Sequence, residues 1–141
     1  MAAQAYGKFV QHLLKGEIDF DTAAFKALIV NAAYVPNVDT HEFRSSITNE
    51  VTGTGYIAGG VALTGVTVTQ DTINNRLVID AADANFGIVT FTAGTRIVVY
   101  VNVGTAATDL LVSSHDFPAT SPAAENFTYA WHADGIGYFT Y

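Results

Sequence analysis

Between Arg96 and Val103 the chain alternates with period two. Ile97, Val99, Val101 and Val103 fall on one side, and Arg96, Val98, Tyr100 and Asn102 on the other. That repeat belongs to an extended strand; a helix would repeat every ~3.6 residues. The same texture returns along the chain. Val66–Thr69, Leu77–Ile79, Ile88–Thr92, Leu110–Phe117, Asn126–His132 and Ile136–Tyr141 all read as strands, and Phe25–Val30 precedes them. Polar or glycine-bearing breaks separate them: Asp71–Asn75, Gly104–Asp109 and Ala133-Asp134-Gly135. The count is about seven or eight short strands at roughly 8–12-residue spacing, the signature of a sandwich or small barrel. No strand alternates with a long helical segment, which argues against a parallel doubly wound sheet. The expected fold is mainly β: an antiparallel β-sandwich, Ig-like or jelly-roll-like, with a short N-terminal helix, in one domain spanning 1–141.

The helix is expected over residues 2–15. Tyr6, Phe9, Val10, Leu13 and Leu14 make one apolar stripe, with Lys8, Gln11, His12 and Lys15 off it and Gly16 as a stop. Such a helix either packs on its own domain or serves as an arm that docks on a neighbouring subunit. Tyr6, Phe9 and Leu13 are therefore candidate interface residues. Farther on, Val35-Pro36-Asn37 reads as a turn, and Asp39 or Thr40 is placed to cap a short helix through His41–Arg44.

Charge excludes some functions. Thirteen acidic residues face six basic ones, for a net charge of −7. Beyond Arg96 only acids remain: Asp109, Asp116, Glu125 and Asp134. Nucleic-acid binding draws its affinity from Lys and Arg at phosphates, so no nucleic-acid partner is expected. No apolar run approaches the ~18–20 residues of a membrane span, and the N-terminus does not read as a signal peptide. With half the residues hydrophobic and 13% charged, a folded core is expected rather than disorder. The absence of cysteine removes disulfides, thiolate metal sites and a cysteine nucleophile.

The stretch Asn49–Leu63, NEVTGTGYIAGGVAL, contains a match to G-x-G-x-x-A at Gly53–Ala58. A dinucleotide fingerprint needs a strand before it, a helix after it and an acid about twenty residues on. Asp71 suits the last condition. The helix does not follow: Gly59-Gly60 leads into Val61–Thr69, rich in β-branched residues, and no Lys completes a phosphate loop. The glycines are expected to bend the main chain, with Tyr56 and Ile57 dropping into the core between bends.

Other polar groupings are weak as sites. Ser113-Ser114-His115-Asp116 holds the three triad residue types, but on a strand Ser114 and Asp116 share a face that His115 does not, and a polar strand end is expected. His132 and Asp134 need His115 or His41 to complete a metal site, and an Asp134-Gly135 hairpin turn accounts for them more simply. Asp80, Asp83 and Asn85 lack the spacing of a calcium loop. Glu17, Glu42, Glu50 and Glu125 are scattered. Neither catalytic residues nor a cofactor or metal are expected. Pro118–Ala124 reads as an exposed loop. The C-terminal aromatics are a stronger lead. Phe127, Tyr129 and Trp131 share one strand face, and Tyr138, Phe139 and Tyr141 follow on the next. They serve either as core, as a contact surface or as a sugar-stacking platform.

The segments AYVPNVDTHEF, NEVTGTGYIAGGVAL, VTVTQDTINNRLVIDA and FTYAWHADGIGYFTY resemble a family of small structural proteins of tailed bacteriophages. The resemblance runs from about Lys15 to Tyr141, and E-V-x-G-x-G-Y-x-A-G-G is its most specific part. It implies a virion component built from a β-sandwich, made in the host cytoplasm. A capsid decoration or cement role on the major capsid protein is the leading expectation, as a homo-oligomer. A neck or tail component, or a glycan-binding module on the virion surface, is the alternative. The family supplies no catalytic residues to carry over.

Overall fold

The computed structural model describes residues 3–141. The chain is mainly β and antiparallel, as the period-two texture requires. A five-stranded sheet has the order β1 (Ala3–Ala5), β8 (Leu110–Thr120), β7 (Gly94–Val101), β2 (Phe25–Asn31), β3 (Val61–Ala62). Two smaller sheets supply the opposing layer: β10 (Gly137–Thr140), β5 (Arg76–Asp80), β4 (Thr67–Asp71), and the pair β6 (Ala84–Thr90) with β9 (Ala123–Tyr129).

Both faces of the five-stranded sheet are buried, which explains why its central strands read as near-continuous apolar runs. The register of β2 on β7 divides them. Phe25↔Val101, Ala27↔Val99 and Ile29↔Ile97 face inward, meeting Ile79, Phe86, Val89, Phe91 and Ile136 from the second layer. Lys26↔Tyr100 and Leu28↔Val98 face outward. Leu28, Val98, Tyr100 and Leu111 are sealed there by Tyr6 and Tyr34, whose hydroxyls bond at 2.9 Å, and by Ile47.

The N-terminus differs from the expected helix over 2–15. Residues 3–5 form β1, paired to β8 as Ala3↔His115, Gln4↔Ser114 and Ala5↔Ser113. Helix α1 covers Gly7–Leu14 only. The free edge of β8 offers hydrogen bonds that outweigh the helix preference of the two alanines. The chain then turns at Tyr6, whose ring is wholly buried. Residue 2 lies outside the described residues. Phe9 sits in the inner core beside Phe20, Leu13 packs partly against it, and Leu14 is exposed. The helix therefore docks on its own domain, and Tyr6 and Phe9 are core residues rather than an interface.

Three further expectations are corrected. Asp39 and Thr40 do not cap a helix: the Asn37 side chain accepts both their amides, and the only helical turn nearby is a 3-10 turn at Arg44–Ser46. Phe43 is instead extended and bridges Leu110. Pro118–Ala124 is not a loop, because β8 runs to Thr120 and β9 starts at Ala123. The two C-terminal strands do not pair with each other. β9 takes β6, and β10 takes β5 in the register Tyr138↔Val78. Local turn chemistry at Asp134-Gly135 suits a hairpin, but long-range pairing decides the partner.

Candidate functional site

The glycine segment resolves into architecture. It is followed by β3, not by a helix. Gly60 adopts φ +72°, and a Cβ there would lie 1.8 Å from the carbonyl oxygen of Ala27. Gly55, at φ +80°, passes equally tightly over Ile88. The segment is thus laid against β2 at one end and β6 at the other. Tyr56 anchors it: its hydroxyl donates to Glu50 Oε1 at 3.0 Å and accepts the Ile29 amide at 2.9 Å. Burial, then the Glu50 charge, push this phenol far above its ordinary value. Glu50 Oε1 also accepts the Gly59 amide at 2.7 Å, and Tyr100 donates to the Gly59 carbonyl at 2.6 Å. Ile57 does not drop into the core; it is 71% exposed, because its place opposite Tyr56 in the turn faces solvent.

Ser113, Ser114 and His115 are fully buried in mid-strand, not at a polar strand end. Ser113 and His115 face the inner core. His115 Nε2 lies 3.2 Å from the Ile136 carbonyl and 3.1 Å from Ser113 Oγ. A carbonyl only accepts, so Nε2 carries the proton and cannot draw one from Ser113. Burial pushes the His115 imidazolium down to about 4, so the ring is neutral near pH 7. Asp116 turns outward and pairs with Arg96.

The remaining histidines do not converge on a metal. His41 Nδ1 meets the Tyr34 hydroxyl at 3.1 Å, and His132 Nδ1 meets Asp134 at 3.2 Å. Arg76 ties Asp134 to Asp71 across the sheet edge, holding both carboxyls below their usual range. Asp80, Asp83 and Asn85 accept the amides of Ala81, Trp131 and Gly87 respectively. Among the described residues no group of three His, Asp or Glu is placed to hold a metal ion.

The aromatic face on β9 points inward. Phe127 meets Phe86, Phe91 and Phe117; Tyr129 meets Phe117, His115 and Trp131. Trp131 stands edge-on to His115, and its indole N–H donates to the Ala82 carbonyl at 3.0 Å. These three rings form no flat outer platform. Tyr138 and Tyr141 stay exposed. Arg76 lies over the Tyr138 ring at 5.1 Å, and Gln70 donates to the Tyr141 hydroxyl at 2.6 Å.

The concave feature that remains was not legible in the sequence. A cleft of about 470 Å³ opens between α1, the 17–24 segment and the ends of β7 and β8. Ile18, Ala23, Phe43, Val101 and Leu110 supply apolar walls, and Glu17, Asp19 and His12 stand among its polar lining. His12, off the helix's apolar stripe, joins Glu17 through Nδ1 and Glu42 through Nε2, the latter at 2.8 Å. The bond to Glu42, opposed by partial desolvation and reinforced by Glu17, raises the imidazole above its ordinary value. With both ring nitrogens donating, the ring is an imidazolium held between two carboxylates. An apolar cleft with carboxylates beside it suits an aliphatic stem with a cationic head. Only a lone His at position 12 hinted at it; the partner at Glu42 comes from folding. Compared with known protein families, curated proteins and solved structures, the chain gives no match.

Proposed function

We propose that this chain is a non-enzymatic structural protein of a tailed-phage particle, a capsid decoration or cement protein bound to the shell of major capsid protein. The observation that carries the reading is the role of Glu50–Leu63. The most specific part of the phage-protein resemblance is also the part built into the fold, through Glu50, Tyr56 and glycines pressed on neighbouring backbone. A pattern of that kind marks a scaffold rather than a ligand site. The buried, neutral His115 and the inward aromatic face support a protein that acts by surface complementarity. The acidic balance suits an outer position, away from packaged DNA, and keeps free copies soluble before assembly. Many identical weak contacts over a shell sum to large stabilisation. The cleft beside His12 is the concave surface available for a basic side chain of the shell protein.

The test is the composition of purified particles. A fixed ratio of this chain to capsid subunits, with density on the shell by electron microscopy, supports the assignment. Density confined to the neck or tail replaces decoration by the alternative role. Absence of the chain from particles overturns the proposal.

A further inference from the structure

Most strand edges in this fold are blunted. β3 is two residues long and β1 three. The β6–β9 pair is irregular in register and carries Glu125. β10 lies beside β1. β4 is different. Thr67–Asp71 pairs in unbroken register with β5, and no backbone hydrogen bond among the described residues leaves its other side. Thr67, Val68, Thr69 and Gln70 are exposed on both faces of the strand. The strand contains no Lys, Arg or Pro, the residues by which edges are guarded against pairing. Its one charge, Asp71, sits at the end and is paired with Arg76.

We propose that β4 pairs antiparallel with β4 of a second copy, about a two-fold axis at Thr69. The two three-stranded sheets then join into one sheet, β10-β5-β4-β4-β5-β10. The strand is self-complementary in this register. Thr69 meets Thr69, Val68 meets Gln70, and Thr67 meets Asp71, so every residue of the strand is paired and no like charges are opposed. An axis at Asp71 would set two carboxylates face to face and shorten the ladder. The overhang also fits. Ile73, at the tip of the β4–β5 hairpin, is 89% exposed, the most exposed large apolar side chain among the described residues. In this register it reaches past Thr67 of the second copy, over the Gly65–Val66 segment. The inference concerns self-association and stands apart from residence in a phage particle.

The chain has no cysteine, so a single one reports position cleanly. Thr69→Cys brings two thiols to directly opposed Cα positions about 4.5–5.5 Å apart, within disulfide reach. Mild oxidation is expected to link Thr69→Cys into a covalent dimer, while exposed Thr92→Cys stays unlinked. By light scattering the wild type is expected at twice the 15.0 kDa of one chain. Thr69→Lys, which opposes two ammonium groups at the axis, is expected to halve that mass with unchanged circular dichroism. A monomeric wild type overturns the proposal, as does a dimer that survives Thr69→Lys. So does equal cross-linking at positions 69 and 92. A monomer whose Thr69→Lys variant no longer sediments with phage particles also overturns it, and gives the edge to a strand of another protein.

Discussion

Arg44 closes over Asp109. Its Nε donates to Asp109 Oδ2 at 2.8 Å, while Oδ1 accepts the amides of Val103 and Gly104 at 2.8 and 3.1 Å. The Asp109 carboxylate is fully buried, and the Arg44 guanidinium rests over the Tyr100 ring at 5.2 Å. One side chain thereby holds the β7–β8 connection and ties it to the 3-10 turn at Arg44–Ser46. Removing it strands a guanidinium and two amides. Asp109→Ala is expected to cost about 3–5 kcal/mol in urea unfolding.

The same carboxyl sets an acid limit. Burial alone would raise it, but Arg44 and the two amides outweigh burial and hold it below the ordinary carboxylate value. A depressed folded value stabilises above the unfolded value of about 3.9 and is lost as pH falls through the folded one. The stability gap between wild type and Asp109→Asn should narrow over that acid range in pH-stepped urea titrations. A gap that widens on acidification would contradict the arrangement.

His12 acts in the opposite sense. Its folded value is raised by Glu42 and Glu17, so its contribution is full below the unfolded value of about 6.5 and disappears as pH rises through the folded value. Comparison of His12→Gln with wild type by thermal melts across roughly pH 6–9 should show the difference largest at the acid end. An equal difference at both ends would show that no imidazolium sits between the two glutamates.

Two glycines with the same backbone conformation predict very different costs. Gly60 and Gly87 both have φ +72°. A Cβ at Gly87 meets nothing within 4 Å, so Gly87→Ala should cost only about 1–2 kcal/mol from the left-handed backbone. At Gly60 the methyl would sit 1.8 Å from the Ala27 carbonyl, and β2 would have to move. Gly60→Ala is expected to lose more than about 4 kcal/mol, read as loss of the folded fraction.

The Tyr129 hydroxyl is buried without a hydrogen-bond partner. Its ring packs against Phe117, His115 and Trp131, so the ring stabilises and the oxygen does not. Tyr129→Phe should leave stability unchanged or raise it by up to about 1–2 kcal/mol. A marked loss would show that the hydroxyl has a partner.

The strands and their antiparallel class were written in the sequence, because alternation and turn residues act over a few positions. So was the bending role of Gly53–Gly60, since a helix cannot open on two glycines and a β-branched run. Which strand pairs with which was not. Residues 126–132 and 136–141 look like partners across Asp134-Gly135, yet each finds its mate over forty residues or more away. Residues 2–5 carry a helical preference that yields to the open edge of β8. The inward turn of Phe127, Tyr129 and Trp131, and the joining of His12 to Glu42, likewise wait on the fold. Periodicity is a local property of the chain. Partner, burial and pairing are properties of contacts between distant segments, and only the packed tertiary structure decides among the ones a local pattern allows.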